Sequence, residues 1–204
     1  MSAELPIVPG GFHCVLVDPP WRYSQALGRE ENGDTTRGGV PYETMSEAEI
    51  TALPVRDVVA EDCQLYLWCP NSFVEEAYRI ARAWSFKPIL PITWVKRRPG
   101  GPLQIGLGYH FRGASEQLLY AVRGHPRSKM TGPHGTTGKA WSTVIEAPRR
   151  EHSRKPDEAY VMIEDVSEPP RLEMFARPPH RANWTVWGAQ AGGPVQNSLD
   201  GPEE

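Results

Sequence analysis

The tetrapeptide Asp18-Pro19-Pro20-Trp21 is the part of this chain best suited to chemistry. A short Val-containing apolar run, Cys14 to Val17, leads straight into Asp18. A strand there would deliver the carboxylate to the edge of a sheet, where open α/β folds bind their ligands. The two prolines fix the backbone and donate no N–H, which leaves their carbonyls to face a ligand. Trp21 offers a flat surface on which a base could stack. An aromatic amine delocalises its lone pair into the ring. Two acceptors on its hydrogens would draw the nitrogen toward tetrahedral geometry and free the lone pair for in-line methyl transfer. In that scheme Asp18 positions and polarises the amine rather than acting as a strong base. The plainer reading of the same residues is a strand-ending turn with a buried Trp.

Such a turn needs a sheet to hold it, and strand signals recur along the chain. They are His13–Val17, Gln64–Cys69, Ile89–Val95, Gln117–Val122, Thr143–Ile145, Leu172–Phe175 and Trp184–Trp187. Runs of this length bounded by Gly or Pro suit buried strands. Helical patterns lie between several of them. Asn71 is a candidate cap for a helix with Phe73, Ala77, Ile80, Ala81 and Trp84 on one face. Ser46 and Glu49 form a capping-box pattern for a short helix through Leu53. Pro156 suits a first helical position, with Asp157 and Glu158 at the positive end of the dipole and Tyr160, Ile163 and Val166 facing inward. This alternation predicts an α/β fold with a mostly parallel central sheet and helices on both faces. The crowding of the last strands suggests that one of them runs antiparallel. Segments 22–44, 97–114 and 123–142 lack regular patterns, and loops so long are usually functional or disordered. Trp68, Trp84, Trp94 and Trp187 fall within the patterns and are assigned to the core. Tyr23, Tyr109 and His110 lie in the long loops and are better placed to meet a substrate.

The net charge of −3 hides a segregation. Residues 96–155 carry twelve Lys or Arg against Glu116, Glu146 and Glu151, a net of +9, while the rest of the chain carries −12. A basic middle suits a polyanion, with phosphate contacts expected among Arg97, Arg98, Arg112, Arg149, Arg150 and Arg154. A solvated loop face would have the same composition. The spacing of His125, His134 and His152 with the cysteines matches no zinc pattern, so no metal is expected. Gly132–Gly138 lacks the Gly-Lys-Ser/Thr ending of a phosphate loop. No apolar run is long enough to span a bilayer, and no secretory signal is visible. Cys14, Cys63 and Cys69 sit in or beside apolar segments, as buried thiols of a reducing compartment would, and a cytoplasmic location is expected.

Further motifs follow in order: Pro41-Tyr42-Glu43-Thr44-Met45-Ser46, Leu65-Tyr66-Leu67-Trp68, Trp94-Val95-Lys96, Arg154-Lys155-Pro156-Asp157-Glu158 and Glu173-Met174-Phe175-Ala176-Arg177. With Val17–Trp21 they resemble the family of the catalytic subunit of the eukaryotic messenger-RNA adenosine methyltransferase, which has bacterial and phage members. The resemblance spans about residues 12–190. It implies a Rossmann-like methyltransferase domain over 1–190, with 191–204 as a disordered tail, and S-adenosylmethionine as cofactor. It also implies that Asp18 and Pro19, within the catalytic motif Asp18, Pro19, Pro20 and Trp21, hold the target amine near the donor methyl. Lys155 would pair with the methionine carboxylate, Glu173 and Arg177 would line the cofactor pocket, and Gln190 would reach the ribose. Tyr42 would close over the site, and Lys96 and Glu116 would sit beside the acceptor base, with Tyr23, His110 and Arg112 as further substrate contacts. Ala189 stands where the family often has the Asn of an Asn-Gln pair. The implied reaction is methylation of the exocyclic amine of adenine in DNA, by analogy with the bacterial and phage members. The alternatives are the same chemistry on RNA, or a silent nucleic-acid-binding subunit. Monomer and dimer remain equally open.

Overall fold

The apolar run that ends at Asp18 becomes β1 (Phe12–Val17), and the rest of the sheet is arranged around it. The computed structural model describes residues 4–22, 43–106, 110–127, 141–150 and 154–189. Tyr23, Tyr42, Tyr109, His134, His152, Gln190 and the tail from 191 lie outside them. The other strands are β2 (Val59–Cys69), β3 (Lys87–Arg97), β4 (Ser115–Arg123), β5 (Val144–Pro148), β6 (Arg171–Met174) and β7 (Thr185–Trp187). They form one sheet in the order β5-β3-β4-β2-β1-β6-β7.

Four of the six pairings are parallel, as a chain that alternates strand and helix should produce. The antiparallel strand is β4, inserted between β2 and β3. This corrects the expectation for the last strands, since β7 runs parallel to β6. The connection 175–184 carries the chain back to the other end of the sheet, so β7 runs in the same direction as β6.

The helices are α1 (Glu47–Thr51), α2 (Val55–Val58), α3 (Val74–Ala83) and α4 (Asp157–Val166). Strand alternation sorts the side chains onto two faces. Val15, Val17, Leu65 and Leu67 pack with Ile50, Val55 and α3 residues Ala77, Ile80 and Ala81. Cys14, Leu16, Tyr66 and Trp68 pack with Ala159, Met162 and Ile163 of α4. Burying a large apolar side chain contributes about 1.5–3 kcal/mol. A one-residue slip of β1 would exchange its two faces, so the packing also determines where Asp18 points.

Local signals account for the helix ends. Ser46 and Glu49 make the complete capping box at α1. Pro156 sits one residue earlier than expected, as the N-cap of α4. Asn71 does not cap α3. It starts a single 3₁₀ turn, Asn71–Phe73, and its amide instead donates to Ser115 Oγ at 3.1 Å. A tertiary partner on β4 outcompetes the local cap. Cys14, Cys63 and Cys69 are all buried and free. No helix among the described residues is long and apolar enough to cross a membrane.

Candidate active site

Asp18 leaves β1 on the α4 side of the sheet, in step with Cys14 and Leu16. Trp68 occupies the neighbouring end of β2 on that same face, and Glu116 lies on β4. Lys155, just before α4, reaches down to join them. Its Nζ donates to Asp18 Oδ1 at 3.0 Å and to Glu116 Oε1 at 2.6 Å. Lys96 Nζ completes the chain, 2.9 Å from Glu116 Oε2. Lys155 also stands 5.4 Å above the Trp68 ring centroid, and Lys96 4.8 Å above that of Trp94. The four residues thus form a cation–anion alternation, with Lys155 and Glu116 in its middle only about a tenth exposed at their side chains.

Burial penalises the charged form of every member, and the neighbours decide the outcome. Burial raises the Asp18 carboxyl above the ordinary aspartate value, with Lys155 opposing and Glu116 reinforcing the shift. At Glu116 burial acts in the same direction, but Lys155 and Lys96 outweigh it and hold the carboxyl low. Burial would lower Lys155, yet Asp18 and Glu116 together keep its ammonium firmly protonated.

Asp18, Trp68 and Lys155 line a cavity of about 640 Å³. Its far wall comes from Glu173 on β6 and from the crossover to β7, including Phe175, Arg177 and His180. Tyr160 of α4 donates to Glu173 Oε1 at 2.6 Å. Burial raises Glu173 above the ordinary glutamate value, and the bond from Tyr160 pulls the other way. At the rim, Asp157 accepts from Arg150 at 2.5 Å and from Arg154 at 3.1 Å. The cavity therefore combines aromatic walls with charges of both signs, and it lies at the carboxyl ends of the parallel strands β1 and β6. That is where open α/β sheets hold ligands.

The chain matches the MT-A70 family over residues 12–190. It belongs to that family. It is 30% identical over 188 residues to the human N(6)-adenosine-methyltransferase catalytic subunit METTL3, covering 90% of this chain and 29% of that protein. A probable N(6)-adenosine-methyltransferase MT-A70-like protein of Oryza sativa is also 30% identical, over 90% of this chain and 24% of its own length. The type II methyltransferase M.MunI of Mycoplasma sp is 22% identical over 88% of this chain and 77% of that protein. The chain thus spans less than a third of the eukaryotic relatives and most of the bacterial one. The sheet with helices on both faces is the Rossmann-like methyltransferase fold that the sequence led us to expect.

In this MT-A70 chain Asp18, Lys155, Glu173 and Arg177 converge on one cavity, and Glu116 and Lys96 are tied to it through Lys155. His110 and Arg112 do not line it; both are exposed on the β3–β4 connection. Trp21 departs from its expected role as a base platform. It is 7% exposed and stacks on Phe73 at 5.0 Å, and its indole donates to the Trp68 carbonyl at 3.0 Å. Trp21 therefore fastens the motif to the end of β2. The proline carbonyls are also partly engaged: Pro19 accepts from the Trp21 amide at 2.9 Å and Pro20 from Met45 at 2.8 Å. Each keeps a second lone pair. Several expected phosphate contacts already hold protein partners, Arg97 on Glu146, Arg98 on Gln104, and Arg150 and Arg154 on Asp157. Sequence reasoning missed Tyr160 and Asp157 as cavity residues and placed Trp68 only in the core. Their three-residue spacing at the start of α4, beside Lys155, is the signal that could have found the first two.

Proposed function

We propose that the chain is an S-adenosylmethionine-dependent methyltransferase acting on the exocyclic amine of adenine in nucleic acid. The observation that carries this reading is Asp18 on the floor of the cavity, ion-paired to Lys155 and opposite Glu173. The residues suit the cofactor. The volume lies within the usual range of about 300–1,000 Å³ for small-molecule sites. Two of the three Lys155 ammonium hydrogens are used by Asp18 and Glu116, which leaves one for a carboxylate. Arg177 stands across the cavity, and Glu173 can accept from hydroxyls. The bound cofactor supplies an electrophilic methyl carbon on a sulfonium.

The chain's own residues do the rest. Asp18 accepts one amine hydrogen and the Pro19 carbonyl, through its second lone pair, accepts the other. The nitrogen lone pair would thereby be freed to face the methyl group that the cofactor would supply, and Asp18 would pass the amine proton to solvent. Placing the two reactants in line is the largest contribution such a site can make. Trp68 and Tyr160 exclude water from the reacting centre. Residues 1–190 would form the catalytic domain, with Gln190, Tyr23 and Tyr42 completing the site from outside the described residues.

Adenine in DNA is the first acceptor to test. The Mycoplasma type II methyltransferase matches this chain over most of its own length, whereas the N(6)-adenosine-methyltransferases match over a quarter or so. RNA is the second. Methyl transfer from labelled cofactor should be measured on adenine-containing DNA and RNA oligonucleotides. Asp18→Asn should lower turnover by about 100-fold or more while cofactor still binds. Transfer to neither polymer by a chain that binds the cofactor would refute the enzyme, and undiminished transfer by Asp18→Asn would refute the role of Asp18.

A further inference from the structure

The described parts of the connection between β3 and β4, 98–106 and 110–114, are tied together by hydrogen bonds and do not line the cavity. Past the last ladder pair, Lys96 N–H donates to Ala114 O at 2.8 Å and Gln104 N–H to Lys96 O at 2.7 Å. Further out, Gly106 N–H donates to Gly113 O at 2.7 Å, and Arg112 Nε donates to Gly106 O at 2.9 Å. On this finger Phe111 is 93% exposed, the most exposed large apolar side chain among the described residues. Leu103 and Ile105 on the opposing arm are about two-fifths exposed. From residue 97 to 114 the chain has three arginines and no Asp or Glu. An aromatic face standing in water on a segment that carries arginines and no acidic residue has the composition of a single-strand binding surface. A protein-docking patch would instead be expected to present a contiguous apolar area with a mixed polar rim.

The finger is rooted at the active site. Lys96 and Glu116, at the two feet of the connection, belong to the ion-pair chain that ends on Asp18. Phe111 is five positions from Glu116, so their Cα atoms lie within about 17 Å of each other. Stacked nucleotides rise about 3.4 Å each, so that span corresponds to about five nucleotides.

We propose that Phe111 is a stacking platform for an unpaired base of the nucleic acid, within a few nucleotides of the methylated adenine, and that the acceptor therefore engages with that stretch opened or single-stranded. The link to the methylated adenine rests on the methyltransferase reading above; the stacking itself does not. Arg112, the next residue in the chain, supplies the phosphate complement.

The test is binding of a fluorescently labelled single-stranded oligonucleotide to the full chain, by anisotropy and without methyl donor, using Phe111→Ala, Phe111→Leu and Phe111→Trp. Loss of the ring should weaken binding by about 5- to 150-fold, with Trp restoring it and Leu not, because a π-face and not apolar area is required. An exposed side chain leaves the fold intact, so thermal melting should be unchanged in all three. Equal binding by Phe111→Ala and the parent overturns the proposal. So does full rescue by Leu, or a change confined to self-association or to capture of a protein partner. The two readings fail separately: an Ala/Leu/Trp ordering in binding without any methyl transfer leaves the platform standing, and transfer without that ordering removes it.

Discussion

At Asp18 one neighbour favours ionisation and another opposes it, and this sets a testable pH dependence. Burial and the Glu116 charge raise its carboxyl, while Lys155 restrains the rise. If the ionised form grips the amine, the acid limb of turnover should lie above the ordinary aspartate value. Glu116→Gln removes a negative charge that raises Asp18 and also leaves Lys155 wholly to it, so both effects move the limb to lower pH. A pH profile of turnover at saturating substrates checks this, and an upward shift would contradict the assignment. The carboxylates and cations of the site were legible in the sequence because Asp18, Lys155 and Glu173 sit in distinctive local patterns. The two indoles were not. Trp21 is buried against Phe73, and Trp68, fully buried in the core as expected, also reaches the cavity wall. β2 is apolar on both faces from Leu65 to Cys69, so no polar alternation reveals which side chain meets a ligand.

Among the elements, the β6–β7 crossover depends most on a single residue. Phe175 ends β6 with φ +61° and lines the cavity. Gly188 passes behind it at φ +145°, where a Cβ would fall 2.8 Å from the Phe175 Cα. That contact is backbone, which cannot rotate away. Gly188→Ala should cost about 1–3 kcal/mol in denaturant unfolding and weaken cofactor binding as well, since relief of the clash displaces the cavity wall. Unchanged stability would mean that β7 slides freely. Every strand, and helices α1, α3 and α4, was foreseeable from apolar runs, Pro, Gly and caps, with ends off by a few residues, whereas the single turn α2 was not. Strand direction was less so. Periodicity carries no sign, and only the path of each connection determines it: β4 returns antiparallel to β3, while 175–184 carries β7 around to a parallel register.

For the whole molecule, the cavity draws its walls from β1, β2, β6, the crossover and α4, which are separate in sequence. A ligand there ties them together. S-adenosylmethionine at about 100 times its Kd should therefore stabilise the fold by about 2.7 kcal/mol, read as a rise in Tm. Lys155→Met should shrink that rise at equal ligand concentration. An undiminished rise in the Lys155→Met chain would place the donor's site elsewhere. The charge segregation visible in the sequence also acquires a location. Several of its basic residues are spent on Glu146, Gln104 and Asp157, which fix the rim and the finger, so the raw count of cations overstated what is available to a polyanion.

The three cysteines have a consequence beyond packing. Burial pushes the Cys14 and Cys69 thiols up to about 12 and Cys63 well above its ordinary value. The reactive species is the thiolate, so none of the three offers an alkylating or oxidising reagent a target while the sheet is closed. Cys14 lies on β1, Cys63 midway along β2 and Cys69 at its end, one strand position beyond the level of Asp18. Their modification therefore clocks the opening of the central strand pair, and a molecule that has bound its ligands should age more slowly under oxidative stress than one that has not.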